Sequence, residues 1–124
     1  MGPLAPVDQG GPAGILDKNL YKDKPDQLKE VHDMEITVCN NMAQGSLKTG
    51  DWTKAVEYAD MALRIEPNNA KALWRKASAQ KALLGYPEAM ATLEKLLQVE
   101  PANAAARALL AEVRQLNEKS NRRD

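Results

Sequence analysis

Aromatic residues are scarce in this chain of 124 residues, and phenylalanine is absent. Only 4% of the residues are aromatic, whereas β-sandwiches and β-barrels depend heavily on aromatic and β-branched side chains. Alanine, leucine, lysine and glutamate, which favour helix, are plentiful in the body of the sequence. The composition therefore predicts an all-α protein.

Net charge, cysteine pairs and long apolar runs are also missing. Lys plus Arg and Asp plus Glu number 17 each, so the balance of charge implies no nucleic-acid partner. The single Cys39 excludes a disulfide within the chain and suits a reducing, cytoplasmic compartment. No run of about 18 apolar residues exists, so we expect no direct membrane insertion by this chain.

The first 24 residues differ from the rest in composition. Residues 1–14 hold four of the seven glycines and three of the seven prolines, which cannot recover the entropy of ordering by burial. We therefore expect residues 1–24 to be a disordered leader or the remnant of a missing repeat. One helical domain should follow over residues 25–120, and residues 121–124 should form a polar tail.

Residues 41–101 contain nearly the same pattern twice, 34 residues apart. Such a period is typical of stacked helical hairpins, in which small residues let two helices approach closely and a proline ends each unit. The matched positions are Glu66-Pro67-Asn68-Asn69-Ala70 and Glu100-Pro101-Ala102-Asn103-Ala104, Ala43 and Ala77, Trp52 and Tyr86, Ala55 and Ala89, and Leu63 and Leu97. We predict a helical-hairpin solenoid of two repeats.

Five helices follow from the spacing of apolar residues and from the breaks at glycine and proline. They are predicted over residues 26–49, 52–65, 70–83, 87–99 and 104–116. The first is an N-terminally extended helix, and the helical spacing of apolar residues that include Val38 and Met42 predicts that these two face the core. The last is a C-terminal capping helix with an apolar side through Ala105, Ala108, Leu109, Val113 and Leu116, after which residues 117–124 should fray.

Basic residues collect on the third predicted helix, because no acidic residue lies between Glu66 and Glu88. Lys71 and Arg75 are four residues apart and project from one face. If the hairpins stack in register, Asn41 lies next to them. Two cations and an amide suit a carboxylate, such as a free chain terminus. The alternative is that this is an ordinary solvated helix face.

The repeated pattern resembles the tetratricopeptide (TPR) repeat. The strings Cys39-Asn40-Asn41-Met42-Ala43 and Asn68-Asn69-Ala70-Lys71-Ala72-Leu73-Trp74-Arg75-Lys76 resemble the TPR domains of co-chaperones and of large FKBP-type immunophilins, most of all the membrane-anchored member. The resemblance covers about residues 26–119. It implies a carboxylate clamp that binds the C-terminal Glu-Glu-Val-Asp of Hsp90 or Hsp70. The matching clamp positions are Asn41, Lys71 and Arg75, and secondary groove candidates are Gln44, Lys48, Trp74 and Ser78.

The family's first repeat supplies a further Lys and Asn to the clamp, and the residues before Pro25 lack its landmarks. We therefore expect the chain to be a fragment or a variant of a longer protein, with a partial clamp. For that longer protein, the resemblance implies a peptidyl-prolyl isomerase domain and an anchor on the cytosolic face of a mitochondrial or endoplasmic reticulum membrane, and we expect neither in this chain. The uncovered N-terminal side, at Leu28, Val31 and Met34, is expected to pair in a homodimer.

The sequence leaves three classes of function to compare. The first is a module that binds an acidic chaperone tail, and the second is a scaffold that associates through other faces without recognising that tail. The third is an enzyme, which the sequence disfavours because one His and one Cys form neither a nucleophile and base pair nor a metal site. No cofactor is implied.

Overall fold

The structure, a computed structural model, describes residues 24–122, so residues 1–23 of the predicted leader and residues 123–124 of the predicted tail lie outside it. The described chain is all-α, as predicted, and none of its helices is both long and apolar enough to cross a membrane. The helices are α1 (Pro25–Thr49), α2 (Trp52–Ile65), α3 (Ala70–Ala82), α4 (Tyr86–Val99) and α5 (Ala104–Asn121). The predicted bounds agree to within one residue, except that α5 runs five residues further than expected.

The repeated Glu-Pro-x-Asn motif starts a helix in both copies. The Oδ1 atoms of Asn69 and Asn103 accept hydrogen bonds from the backbone N–H of Ala72 and Ala106, each at 2.9 Å. Their Nδ2 atoms donate to Glu66 Oε1 at 2.6 Å and to Glu100 Oε1 at 2.9 Å. The glutamate thus orients the asparagine that satisfies an otherwise unpaired N–H group in the first turn of α3 or α5.

The turns inside the two hairpins share one backbone shape. Gly50 after α1 has a φ of 79°, and Leu84, 34 residues later, has a φ of 65°. Asp51 N donates to Ser46 O and Gly85 N donates to Gln80 O, both at 2.8 Å, which is the six-to-one bond of a Schellman motif. A leucine therefore occupies a left-handed position that glycine adopts without steric cost.

The core divides into two clusters of different composition. The cluster of α3, α4 and α5, which we call the C-terminal core, comprises Leu73, Ala77, Ala89, Leu93, Leu96, Ala106, Leu110 and Val113. The cluster of α1, α2 and α3, the N-terminal core, comprises Ile36, Ala59, Ala62 and Ala72. Ala43 and Ala77, and likewise Ala55 and Ala89, are fully buried, as close helix crossings require.

Two predictions about helix faces are wrong. On α1, Val38 and Met42 are 59% and 46% exposed, because Ile36, Asn40 and Ala43 form the buried side instead. On α5, Ala105 and Ala108 are exposed, and the buried positions are Ala106, Leu110 and Val113. Alanines occur all round the start of α5, so their spacing did not define its inner face.

The polar end of α5 was also predicted wrongly. Residues 117–121 were expected to fray, yet the helix continues through them to Asn121. Asn117 is half-buried, and Leu116 just before it is half-buried as well. Polar side chains do not by themselves end a helix, and no glycine or proline occurs in this stretch to stop it.

Candidate functional site

α1 and α3 lie side by side, and this brings Asn41, Lys71 and Arg75 around one cavity of about 390 Å³. Asn41 and Lys71 are exposed, and Arg75 is half-buried. The three predicted site residues therefore share one opening at the surface. The complete set of lining residues is Ile36, Thr37, Asn40, Asn41, Asn69, Ala70, Lys71, Arg75 and Glu100.

Arg75 is held from the α1 side. Its Nε donates a hydrogen bond to Gln44 Oε1 at 3.2 Å, while its Nη1 is buried and has no acceptor among the described residues. Burial lowers the pKa of Arg75, but a guanidinium starts from so high a value that it stays charged. The cavity therefore has a fixed cation, Arg75, in its wall.

Asn40 of α1 and Asn69 at the start of α3 both line the cavity and are hydrogen-bonded to each other. Asn40 is only 6% exposed, and its Nδ2 donates to Asn69 Oδ1 at 3.2 Å, the same oxygen that caps α3. The Oδ1 of Asn40 is buried without a hydrogen-bond partner in the described residues. Sequence reasoning missed this residue, although its spacing of four from Ile36 and three from Ala43 places an amide on the buried face of α1.

The electrostatics of the cavity favour an anion at its Lys71 end. Asn69, Ala70 and Lys71 belong to the N-terminus of α3, where unpaired N–H groups give a partial positive charge. Glu100 also lines the cavity, and its Oε1 accepts a hydrogen bond from Asn103. An anion is thus favoured beside the two cations and repelled near Glu100.

The four secondary groove candidates have different surroundings. Gln44 contacts Arg75, as noted, whereas Lys48 is exposed and does not line the cavity. Trp74 packs against the C-terminal core, and Ser78 Oγ donates to the Trp74 carbonyl oxygen at 2.9 Å within the same helix. Of these four residues, Gln44 alone has a visible connection to the cavity.

Metal binding and thiol chemistry concern a second set of side chains in the described part of the chain. Residues 24–122 contain no group of three or more His, Cys, Asp or Glu side chains placed to hold a metal ion. Cys39 is a free, half-buried thiol that packs against the N-terminal core. Burial, followed by the charge of Glu35, raises the pKa of this thiol, which makes it a poor nucleophile near neutral pH.

Comparisons with known proteins identify the repeat. A family model described as Tetratricopeptide repeat matches residues 46–113. Sperm-associated antigen 1 of Rattus norvegicus is 43% identical over 77 residues, which are 62% of this chain and 9% of that protein. Peptidyl-prolyl cis-trans isomerase FKBP4 of Mus musculus is 33% identical over 86 residues, which are 69% of this chain and 19% of that protein. The chain thus spans less than a fifth of either relative.

Two solved structures share the fold. The first TPR domain of the human RPAP3 protein has a TM-score of 0.69 and 22% identity, over 86% of this chain and 91% of that one. The first TPR of Spaghetti (RPAP3), solved bound to the HSP90 peptide SRMEEVD, has a TM-score of 0.64 and 23% identity, over 78% of this chain and 84% of that one. Both agree with the stacked hairpins described above.

Proposed function

Because the chain belongs to the tetratricopeptide repeat family, we propose that it binds the acidic C-terminal tail of a chaperone of the Hsp90 or Hsp70 class through a partial carboxylate clamp. The tail would enter the cavity between α1 and α3. Its terminal carboxylate would lie between Lys71 and Arg75, and Asn41 would donate a neutral hydrogen bond to it. The fold itself is an interaction fold, and repeat solenoids bind partners on extended surfaces.

The observation that best supports this proposal is the convergence of Asn41, Lys71 and Arg75 on one cavity, which places two cations and an amide around the same opening. Cationic side chains donate strong, charge-assisted hydrogen bonds to a carboxylate. The helix N-terminus beside Lys71 adds to the same attraction.

The comparisons support the class of partner. The Spaghetti domain is bound to a peptide that ends in Glu-Glu-Val-Asp, a sequence with three acidic side chains. Two lysine or arginine side chains and an asparagine match the chemistry of such a peptide. We further propose that the chain is part of a longer FKBP-type isomerase or related co-chaperone, which immunoblotting of the endogenous protein would test by its size.

We expect the binding to be weak. A short tail held at micromolar affinity corresponds to about 8 kcal/mol. Hydrogen bonds to charged groups contribute roughly 1.5 to 3 kcal/mol each, so a clamp without one Lys and one Asn should lose on the order of 3 kcal/mol. The dissociation constant should then be roughly hundreds of micromolar.

An NMR titration tests the proposal. A peptide that ends in free Glu-Glu-Val-Asp should shift the amide signals of Asn41, Lys71 and Arg75, whereas the same peptide with an amidated terminus should not. Lys71→Ala and Arg75→Ala should each abolish measurable binding, and added salt should weaken it because the opening of the cavity is exposed.

Lys95→Ala is the matched control. It removes the same charge from exposed Lys95, which does not line the cavity and makes no ion pair in the described residues, so binding should change little. Equal shifts from the free and amidated peptides would contradict the proposal. Equal weakening by Lys95→Ala and Lys71→Ala would mean that only overall charge matters.

A scaffold that associates through another face is the second candidate function. The exposed side of α1 favours it, because Met34, Val38 and Met42 are 67%, 59% and 46% exposed on that one helix. Apolar side chains grouped in this way are typical of interaction sites. This candidate predicts partners whose binding is unaffected by Lys71→Ala.

A further inference from the structure

The outer side of α1 has a regular apolar stripe. Met34, Val38 and Met42 follow one another at intervals of four residues, so the three side chains lie close together along the helix surface. They are among the most exposed large apolar residues of the described chain. The stripe is centred on Val38.

Two opposite charges flank this stripe at similar distances, eight residues before Val38 and ten residues after it. Glu30 and Lys48 are 18 residues apart, which is about five full helical turns, so both project from the same side of α1. Both are exposed, and neither makes an ion pair in the described residues. Their midpoint is position 39, about one residue from the centre of the stripe.

A helix face with an apolar centre and opposite charges at its two ends is complementary to a second copy of itself that runs antiparallel. In an antiparallel pair related by a two-fold axis at Val38, Met34 of one copy lies beside Met42 of the other. Glu30 of one copy then lies near Lys48 of the other, on both sides of the axis. Flanking charges of this kind set partner choice and orientation when helices pair.

Gly45 provides room for this arrangement. It lies on the exposed side of α1, and a Cβ atom placed there would meet no atom within 4 Å apart from the neighbouring backbone of α1 itself. The two-fold axis at Val38 brings Val31 of the other copy opposite Gly45. A small residue at this position lets the two helix backbones approach closely.

We propose that a second copy of this chain docks on the outer side of α1, in an antiparallel two-fold pair centred on Val38 with Glu30 of each copy beside Lys48 of the other. Self-complementarity of the stripe and of its flanking charges is the reason for choosing a second copy as the occupant. The proposal extends the scaffold candidate and does not depend on Lys71 or Arg75.

The size of the contact limits the strength of the dimer. α1 is about 38 Å long, and a single helix face buries less than the roughly 1,200 Å² of a stable interface. Interfaces of this size are typical of weak, transient contacts, so we expect a dimer that forms only at high protein concentration.

Sedimentation equilibrium of the full chain between about 10 µM and about 1 mM tests the pairing. The average mass should rise from 13.6 kDa toward twice that value over this range. Val38→Glu places two like charges on the axis and should keep the chain monomeric. The matched control is Leu84→Glu, which makes the same kind of change at a residue that is 71% exposed on the turn after α3, and it should leave the association unchanged.

A charge exchange tests the orientation of the pair. Glu30→Lys and Lys48→Glu should each weaken the dimer at least threefold, and the double variant should restore it, because the opposite charges again face each other. Lys71→Ala should abolish tail binding without changing the dimer, so failure of one proposal is distinguishable from failure of the other. Circular dichroism verifies that each variant stays folded.

Three results would overturn the proposal. The first is an average mass, by sedimentation equilibrium, that stays at 13.6 kDa up to about 1 mM. The second is loss of association in Leu84→Glu but not in Val38→Glu. The third is a double charge variant that pairs no better than the single variants.

Discussion

The second hairpin packs leucines against α5, whereas the first hairpin packs mainly alanines against α3. The three largest fully buried side chains, Leu93, Leu96 and Val113, all belong to the C-terminal core. On the other side of the molecule, no helix of the described residues covers the outer face of α1, and that helix contributes residues to the cavity and the apolar stripe. The two repeats have the same backbone fold. Because the larger buried side chains lie in the second repeat, we expect that repeat to contribute most of the stability and the first repeat to provide the binding surfaces.

The largest expected difference between the halves concerns core truncation. Leu93→Ala should lower the free energy of unfolding by about 3 kcal/mol or more, because it leaves a cavity in the larger core. Ile36→Ala should cost about 2 kcal/mol, since Ile36 is 9% exposed and borders an open cavity. Urea unfolding followed by circular dichroism measures both, with Leu84→Ala as the exposed control. A larger loss for Ile36→Ala would reverse the comparison.

The next difference concerns the two helix caps. Asn103→Ala should cost about 1 kcal/mol, the usual value for losing an N-cap. Asn69→Ala should cost about 2 kcal/mol, because it also removes the acceptor for buried Asn40, whose Nδ2 would then lack a partner. Equal losses in urea unfolding would mean that the Asn40 bond contributes nothing to the junction between the hairpins.

The two hairpin turns should respond oppositely to glycine and leucine. Gly50→Leu forces a branched side chain into the left-handed region at a φ of 79° and should destabilise the protein by about 1 to 2 kcal/mol. Leu84→Gly relieves the same conformation and should stabilise it by about 0.5 kcal/mol, after the greater entropy of glycine in the unfolded chain is subtracted. Thermal unfolding of both variants measures the pair. A stabilising Gly50→Leu would show that the shared backbone shape is not strained.

The smallest expected effect is at Cys39. Burial, and secondarily the charge of Glu35, raises the pKa of its thiol, so alkylation by iodoacetamide near pH 8 should be several-fold slower than in the unfolded chain. Because the pKa of the Cys39 thiol is higher in the folded than in the unfolded chain, burial of the protonated thiol favours folding. This stabilisation is fully present at pH values below the unfolded pKa of the thiol. It is lost as the pH rises through the folded value.

Two reference rates complete this measurement. The urea-unfolded chain gives the unprotected rate, and Glu35→Gln should increase the rate in the folded chain by a smaller factor than unfolding does. A folded-state rate equal to the unfolded rate would mean that α1 leaves the N-terminal core frequently. That result would make the first hairpin less stable than the buried area implies.

The candidate site was predictable in its parts and not in its details. Lys71 and Arg75 share a face because they are four residues apart, and the 34-residue period placed Asn41 near them. Three details depend on how two separate helices meet. They are the hydrogen bond from Arg75 Nε to Gln44, the unpaired Nη1 of Arg75 and the buried amide of Asn40. Periodicity within a helix indicates which way a side chain points, and it does not indicate the partner that the side chain finds.

The amino-acid sequence by itself determined the five helices, their caps and the repeat, because these depend on residues within a few positions of one another. Asn69 and Asn103 cap locally, glycine and proline break helices locally, and the period requires only that each hairpin resemble the next. Only the tertiary structure decided that Ala106 and not Ala105 is buried, that Val38 and Met42 face outward, and that Asn40 is enclosed between the hairpins. Alanine is small enough to fit on either side of a helix, so the face that is buried follows from the packing of neighbouring helices and not from its spacing.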